Sequence, residues 1–268
     1  MRCRVLVENS AMEGLGSEWG LSFYIEHRGK IYLVDAGASG LFALNSEKVG
    51  ADIAKVDAAV LSHAHYDHGL GMRRFFEING TAPFYISDAA EENCYSKHFI
   101  IKKYIGLEKG ILEEYSGRIV KCSGKTEIGE GVYCIPHYKM PAGGTKSMFV
   151  KKDGRMLQDT FRHEQSIVFV CEDGGLAVFS PCSHLGLTSI IGEVREQFPD
   201  CKVKAVAGGF HLFTKTGEFI ENLAEELKKM NIGKFYTGHC TGARAYKILR
   251  ERIGENVLAL TGGMVIDL

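Results

Sequence analysis

Apolar residues along the chain fall into two regimes. Short apolar or alternating runs bounded by turn formers predict strands over Arg4 to Glu8, Leu21 to Glu26, Lys30 to Asp35 and Asp57 to Ser62. The same pattern returns over Ser166 to Cys171, Leu176 to Ser180, Val203 to Ala207 and Lys234 to Thr237. Helical spacing predicts helices over Gly40 to Val49, Gly69 to Ile78, Leu187 to Gln197, Glu218 to Met230 and Ala243 to Ile253, the last stopped by Gly254. Strands alternating with helices imply α/β layering. His27-Arg28-Gly29-Lys30 and Glu172-Asp173-Gly174-Gly175 read as hairpin turns, so the sheets should be mixed. Between Ser87 and Thr160 the pattern weakens, with a helix-like Tyr95 to Tyr115 and a glycine-rich Ala142-Gly143-Gly144. The expectation is a single domain over 1–268 with an insertion at about 87–160 covering one side of the site.

Composition changes this picture little. The chain is 45% hydrophobic and 24% charged, as an ordinary globular protein is, so a substantial core is expected. A net charge of -1 supplies no field for nucleic acid, and the pairs Lys102-Lys103 and Lys151-Lys152 read as solvated surface. No apolar run approaches the ~20 residues of a bilayer span, and the first residues enter a strand pattern without a secretory leader. Eight cysteines without a C-x-x-C pair argue against a zinc ribbon or a disulfide framework and fit a reducing, cytoplasmic setting. A small-molecule substrate is expected, with no nucleic acid or membrane partner.

The chemistry concentrates in Leu61-Ser62-His63-Ala64-His65-Tyr66-Asp67-His68-Gly69, after one predicted strand and before a helix. His63 and His65, two positions apart, can point the same way, while adjacent Asp67 and His68 diverge and can face a second ion. That arrangement suits a two-metal centre clamping the oxygens of an attacked ester or phosphoryl group. Asp67 as a plain helix cap is the structural alternative. It would leave several polar groups buried together at high cost.

With H-x-H-x-D-H present in full at His63 to His68, the sequence resembles the metallo-β-lactamase superfamily. More narrowly, Glu18-Trp19-Gly20-Leu21-Ser22, Pro181-Cys182-Ser183-His184, Gly208-Gly209-Phe210-His211-Leu212 and Gly238-His239-Cys240-Thr241-Gly242 look like the branch of the dihydropterin ribofuranosylaminobenzene phosphate synthases. The resemblance spans nearly the whole chain and implies a four-layer αβ/βα sandwich of two mixed sheets flanked by helices. It implies metal ligands at His63, His65, Asp67, His68, His184 and His239, with Asp67 and His184 catalytic. Asp35, ending a strand upstream, should orient a ligand histidine. Where many members carry a bridging aspartate this chain has Cys182, so a bridging carboxylate is not evident. His163 and His211 stay open as ligands or substrate contacts. Either could instead be a buried hydrogen-bonding residue, as could His184 or His239, and Cys240 could be plain core. His27, His98 and His137 have no partner at useful spacing.

Imidazole and carboxylate ligands suit two divalent ions, zinc first, with iron, manganese or magnesium as alternatives. The expected function is a hydrolase using metal-activated hydroxide on an ester, lactone or phosphoester. The alternatives are a transferase condensing a dihydropterin methyl diphosphate with ribofuranosylaminobenzene 5'-phosphate, and a non-catalytic or redox metal protein. Under the transferase reading, Tyr95, Phe99, Tyr104, Tyr115, Tyr133 and Tyr138 could stack a pterin, although aromatics so spaced are commonly core.

Overall fold

The computed structural model describes residues 1–98, 101–139 and 147–268. Phe99 and the Ala142-Gly143-Gly144 loop lie outside the described residues. In chain order come strands β1 (Arg2–Val7), β2 (Ser22–His27) and β3 (Lys30–Val34), helix α1 (Leu41–Lys48), β4 (Ala58–Val60), the helical turn α2 (Tyr66–Gly69), α3 (Met72–Ile78) and β5 (Phe84–Ser87). Next are β6 (Cys94–His98), β7 (Ile101–Tyr104), the turn α4 (Ile111–Glu114), β8 (Ile119–Cys122), β9 (Thr126–Gly129), β10 (Val132–Pro136), β11 (Met148–Lys152) and β12 (Arg155–Gln158). The chain closes with β13 (Gln165–Val170), β14 (Leu176–Phe179), α5 (Leu187–Gln197), β15 (Val203–Gly208), α6 (Gly217–Lys229), β16 (Lys234–Thr237), α7 (Ala243–Ile253), β17 (Val257–Ala259) and β18 (Val265–Asp267).

One sheet runs β18-β1-β2-β3-β4-β5-β8 and the other β17-β16-β15-β14-β13-β10-β9. Each is antiparallel on one side and parallel on the other. The strands from β3 to β8 and from β14 to β17 are parallel, and α1, α3, α5, α6 and α7 make crossovers between them. The antiparallel part begins at Arg28-Gly29, where both residues take positive φ (46° and 73°), the turn whose twist matches the paired strands.

Alternation along the strands then builds three apolar layers. Val5, Phe23, Ile25 and Val60 of the first sheet meet Phe169, Phe179 and Ala207 of the second, with the Phe23 and Phe179 rings 5.3 Å apart. The residues between them face outward: Leu6, Leu33 and Phe84 pack with Phe42, Phe75 and Phe76 of α1 and α3. On the far side Val178, Val206 and Phe235 pack with Val194, Ile220, Leu227 and Leu249 of α5, α6 and α7. The result is the expected α/β/β/α sandwich of mixed sheets. Truncating a ring in its central layer, as in Phe23→Ala, should cost about 3 to 5 kcal/mol.

Two stretches depart from the pattern reading. The helix expected over Gly69 to Ile78 begins only at Met72, after the separate turn α2, and between the two the chain runs so close to the end of β3 that a Cβ at Gly71 would stand 2.0 Å from the carbonyl oxygen of Ala36. Glycine there lets the loop after β4 lie against the end of β3. The helix-like Tyr95 to Tyr115 is instead β6, β7 and the turn α4. Its residues pair with β11, about 50 positions downstream, in a separate four-stranded sheet ordered β12-β11-β6-β7. Such long-range pairing is invisible to local periodicity. Only part of the 87–160 span stands apart in that sheet, since β8 joins the first large sheet and β9 and β10 the second. No described helix is long and apolar enough to cross a membrane.

Candidate metal centre

The parallel strands deliver their C-terminal ends to one place. Asp35 follows β3, the His63 to His68 loop follows β4, Cys182 to His184 follow β14, His211 follows β15 and His239 follows β16. Ligand sites in layered α/β folds collect at such ends. Asp35, Ser183, His211 and His239 all take positive φ, at 59°, 53°, 49° and 48°. Held in that region, non-glycine residues cost about 1 to 3 kcal/mol each, a strain that clusters at functional sites.

On the first wall, Asp35 is the anchor. Its Oδ1 accepts the Ser62 amide at 2.7 Å, and its Oδ2 accepts the Ser62 hydroxyl at 2.7 Å and His68 Nδ1–H at 2.7 Å. With its own proton given to Asp35, the Ser62 hydroxyl accepts from His63 Nδ1–H at 2.9 Å. One carboxylate thereby sets both tautomers and leaves the Nε2 lone pairs of His63 and His68 pointing inward. Asp67 Oδ2 is held by Trp19 Nε1–H at 2.9 Å.

The second wall uses separate clamps. Glu164 accepts the amides of His184 and Leu185 at 2.7 and 2.9 Å. Glu8 accepts the His239 amide at 2.6 Å, and Asn9 Oδ1 accepts His239 Nδ1–H at 3.1 Å while the Asn9 amide group donates to the His239 carbonyl. His239 Nε2 is thereby also left with its lone pair inward.

The two walls meet in pairs. His68 Nε2 and His239 Nε2 are 3.3 Å apart, with Asp67 Oδ2 at 3.3 Å from His239 Nε2 and 4.0 Å from His68 Nε2. His63 Nε2 and His184 Nε2 are also 3.3 Å apart. His65 packs its ring 4.6 Å from His63 and 4.9 Å from His184, and its buried Nε2 has no hydrogen-bond partner. All six expected ligands are therefore gathered. The donors His63, Cys182 and His184 form one group within 4.8 Å of one another, and His68, Cys182 and His239 another. His65 falls instead into a third group with Cys94, Asp159 and His163.

Electrostatics divide the cluster. Burial, then the neighbouring His68, pushes the His63 imidazole well below its usual range, and burial with His211 does the same for His184. Burial and His163 push His65 down to about 3. His68 runs against its own burial, with Asp35 and Asp67 holding it up to about 9. Burial would raise the Asp67 carboxyl, yet His68 and His239 hold it well below the carboxylate range. The His68, Asp67 and His239 corner draws positive charge, a proton or a cation. Buried neutral imidazoles, an ionised carboxylate and an orphaned nitrogen fit divalent metal ions.

The remaining candidates sort by contact. His163 takes the Ala64 amide on Nδ1 at 3.1 Å and faces Asp159 with Nε2 at 3.0 Å, so both nitrogens are engaged. His211 lies with its ring 4.1 Å from His184 and its Nδ1 3.6 Å from Cys182 Sγ. Cys182 Sγ is 3.1 Å from Cys240 Sγ, which accepts the His211 amide at 3.3 Å. Burial pushes the Cys182 thiol well up. For Cys240 burial is outweighed by the hydrogen bond from Cys182 and by His211, and its thiol is held well down. His137 bonds Ser166 and His27 packs on Phe169, both away from the centre. Glu8, Asn9, Cys94, Asp159 and Glu164 escaped the sequence reading, because nothing in their local pattern separates them from ordinary polar or core residues, and Trp19, part of the Glu18 to Ser22 motif, acquires its contact with Asp67 only in the fold.

A cavity of about 690 Å³ opens beside His184 and His211, lined by Phe210, Leu212, Lys215 and Met148 of β11. The tyrosines considered as a stacking platform do not line it. Tyr95 packs on Tyr104, Tyr115 stacks on Phe76 and Tyr133 meets Phe198. Tyr138 sits under the Arg162 guanidinium.

This layered fold, with its histidine cluster at the strand ends, places the chain in a family: it belongs to the metallo-beta-lactamase superfamily, whose model matches residues 20–157. It is 28% identical to a 7,8-dihydropterin-6-methyl-4-(beta-D-ribofuranosyl)-aminobenzene-5'-phosphate synthase of Methanocaldococcus jannaschii, over 93% of this chain and 90% of the relative. An uncharacterized protein of the same organism is 26% identical over 92% and 93%. Among solved structures, a metal-dependent hydrolase of the beta-lactamase superfamily superposes with a TM-score of 0.86 at 27% identity, covering 100% of this chain and 99% of that one.

Proposed function

We infer that the protein is a metal-dependent hydrolase acting on a phosphoester, ester or lactone bond of a small molecule. Two divalent ions, zinc before iron, manganese or magnesium, would be held by His63, His65 and His184 and by Asp67, His68 and His239. The observation that carries this reading is the corner where His68 Nε2, His239 Nε2 and Asp67 Oδ2 converge. Two of the three atoms are lone pairs by virtue of their Nδ1 partners and the third is a carboxylate oxygen, so no neutral hydrogen bond can join them. A metal ion satisfies all three, and in its absence the extra proton that Asp35 and Asp67 hold on His68 takes that place.

Ions bound there would lower the pKa of a water and polarise the bond under attack. The protein's own residues set the stage for that. Asp35 holds His63 and His68 in one tautomer, Trp19 fixes the Asp67 carboxylate, and His184 borders the cavity where substrate would lie. Apolar Phe210 and Leu212 with the Lys215 ammonium suit a substrate with an apolar body and an anionic group. Asp67 and His184 are the residues we assign to the chemistry.

The relative named as a synthase supports a second reading, a transferase that joins a dihydropterin methyl diphosphate to ribofuranosylaminobenzene 5'-phosphate. One experiment separates the two. The zinc-loaded protein is given a chromogenic phosphodiester, a lactone, and the pterin diphosphate with and without its acceptor. Turnover without acceptor supports the hydrolase. Diphosphate release that requires the acceptor replaces it with the transferase, and inertness of a metal-loaded protein overturns both.

A further inference from the structure

We propose that Cys182 supplies one thiolate shared by the two histidine pockets, so that sulfur rather than a carboxylate links the two ions. This rests on the two-ion reading above. Among the described residues, Cys182 Sγ is the one donor common to the His63–His184 and His68–His239 groups, within 4.8 Å of each member.

The nearby carboxylates cannot take that place. Asp35 is filled by Ser62 and His68, Glu164 by the amides of His184 and Leu185, and Glu8 by the amide of His239 and by Ser10. Asp67 reaches the His68–His239 side, where Trp19 holds it. Neutral imidazoles around two divalent ions leave Asp67 as the lone anion so far assigned, and buried charge demands more compensation than that. A thiolate between the ions provides it. On coordination the Cys182 S–H bond breaks, a metal–sulfur bond forms and the proton leaves to solvent, with no change of oxidation state. His211, whose Nδ1 is 3.6 Å from Cys182 Sγ and which lines the cavity, offers the exit. Cys240 belongs to neither histidine group and serves Cys182 as a hydrogen-bond partner at 3.1 Å. A thiolate also narrows the metal, favouring zinc, cobalt or ferrous iron over magnesium or manganese.

The test uses the full chain and cobalt(II) as probe, read by absorption rather than activity. Mixed derivatives are made in both orders, zinc first then cobalt, and cobalt first then zinc. Sharing predicts a thiolate-to-cobalt charge-transfer band in both orders, and zinc–sulfur scattering at about 2.3 Å for the all-zinc protein. The band should vanish in Cys182→Ser, be absent from a Cys182→Asp variant that still binds two ions, and persist in Cys240→Ser. A band in one order only makes the sulfur a terminal ligand and overturns the proposal. Two bound ions with no band, or a band lost in Cys240→Ser and kept in Cys182→Ser, overturn it as well while leaving the two-ion reading intact. A protein that takes up no ion overturns both.

Discussion

On the first wall of the site a single carboxylate, Asp35, orients two histidines from one six-residue loop, whereas on the second wall every strand end has a clamp of its own, Glu164 for His184 and Glu8 with Asn9 for His239. The difference lies in how local each wall is. His63 to His68 are neighbours in sequence and leave β4 together, so one buried carboxylate reaches the His68 ring directly and the His63 ring through the Ser62 hydroxyl. His184 and His239 arrive from strands 55 positions apart and share no such anchor. Loss of the Asp35 anchor should therefore spread to both ions, and loss of either second-wall clamp should stay with one.

The comparison can be broken in a graded series. Asp67→Ala should have the largest effect, abolishing turnover and emptying the His68–His239 pocket with the fold retained; elemental analysis alongside rate measurement checks this, and an unaffected rate removes Asp67 from the chemistry. Asp35→Ala should weaken both ions by about 10- to 100-fold, the usual cost of losing a carboxylate behind a ligand histidine. Stepwise zinc titration would reveal it, and a loss confined to one ion would contradict the common-anchor view. Glu164→Gln should weaken by about 10-fold only the ion between His63 and His184, because the other pocket does not touch it.

Acidification sharpens the picture from another side. In the unfolded chain the imidazoles of His63, His65 and His184 titrate near the ordinary value of about 6.5, while in the metal-free folded protein they titrate lower. Below about pH 6.5 the unfolded state then binds more protons, and stability falls with pH by about 1.4 kcal/mol per unit for each group. His68, raised to about 9, contributes in the opposite sense, with stability present below about 6.5 and lost as pH climbs through 9. Urea midpoints of the metal-free protein against pH test both limbs. The smallest effect on the metals is expected from His163→Ala, since both its nitrogens are already engaged. Metal content should be unchanged, with a stability loss of about 1 to 3 kcal/mol because the buried Ala64 amide loses its acceptor.

Much of the scaffold was readable from residue order because its parts are local. Strands β2, β3, β14 and β16 and helices α5 and α7 follow directly from apolar period, α7 with Gly254 closing it. The four-stranded sheet β12-β11-β6-β7 was not, since Tyr95 and Tyr104 acquire their strand character from pairing across β6 and β7 and with the distant β11. The centre divides the same way. The spacing of His63, His65, Asp67 and His68 announces a ligand loop by itself, and Asp35 could be nominated from its position at a strand end.

What the chain's order determined was the layering of the fold and the identity of that one loop, because hydrophobic period and ligand spacing act over a few residues. Folding alone decided that Glu8, Trp19 and Glu164 stand behind the ligands, that the His63–His184 and His68–His239 pairs close to 3.3 Å, and that Cys182 lies within reach of both. Those contacts join residues up to 231 positions apart, and only the stacking of two sheets with their parallel strand ends side by side brings them together.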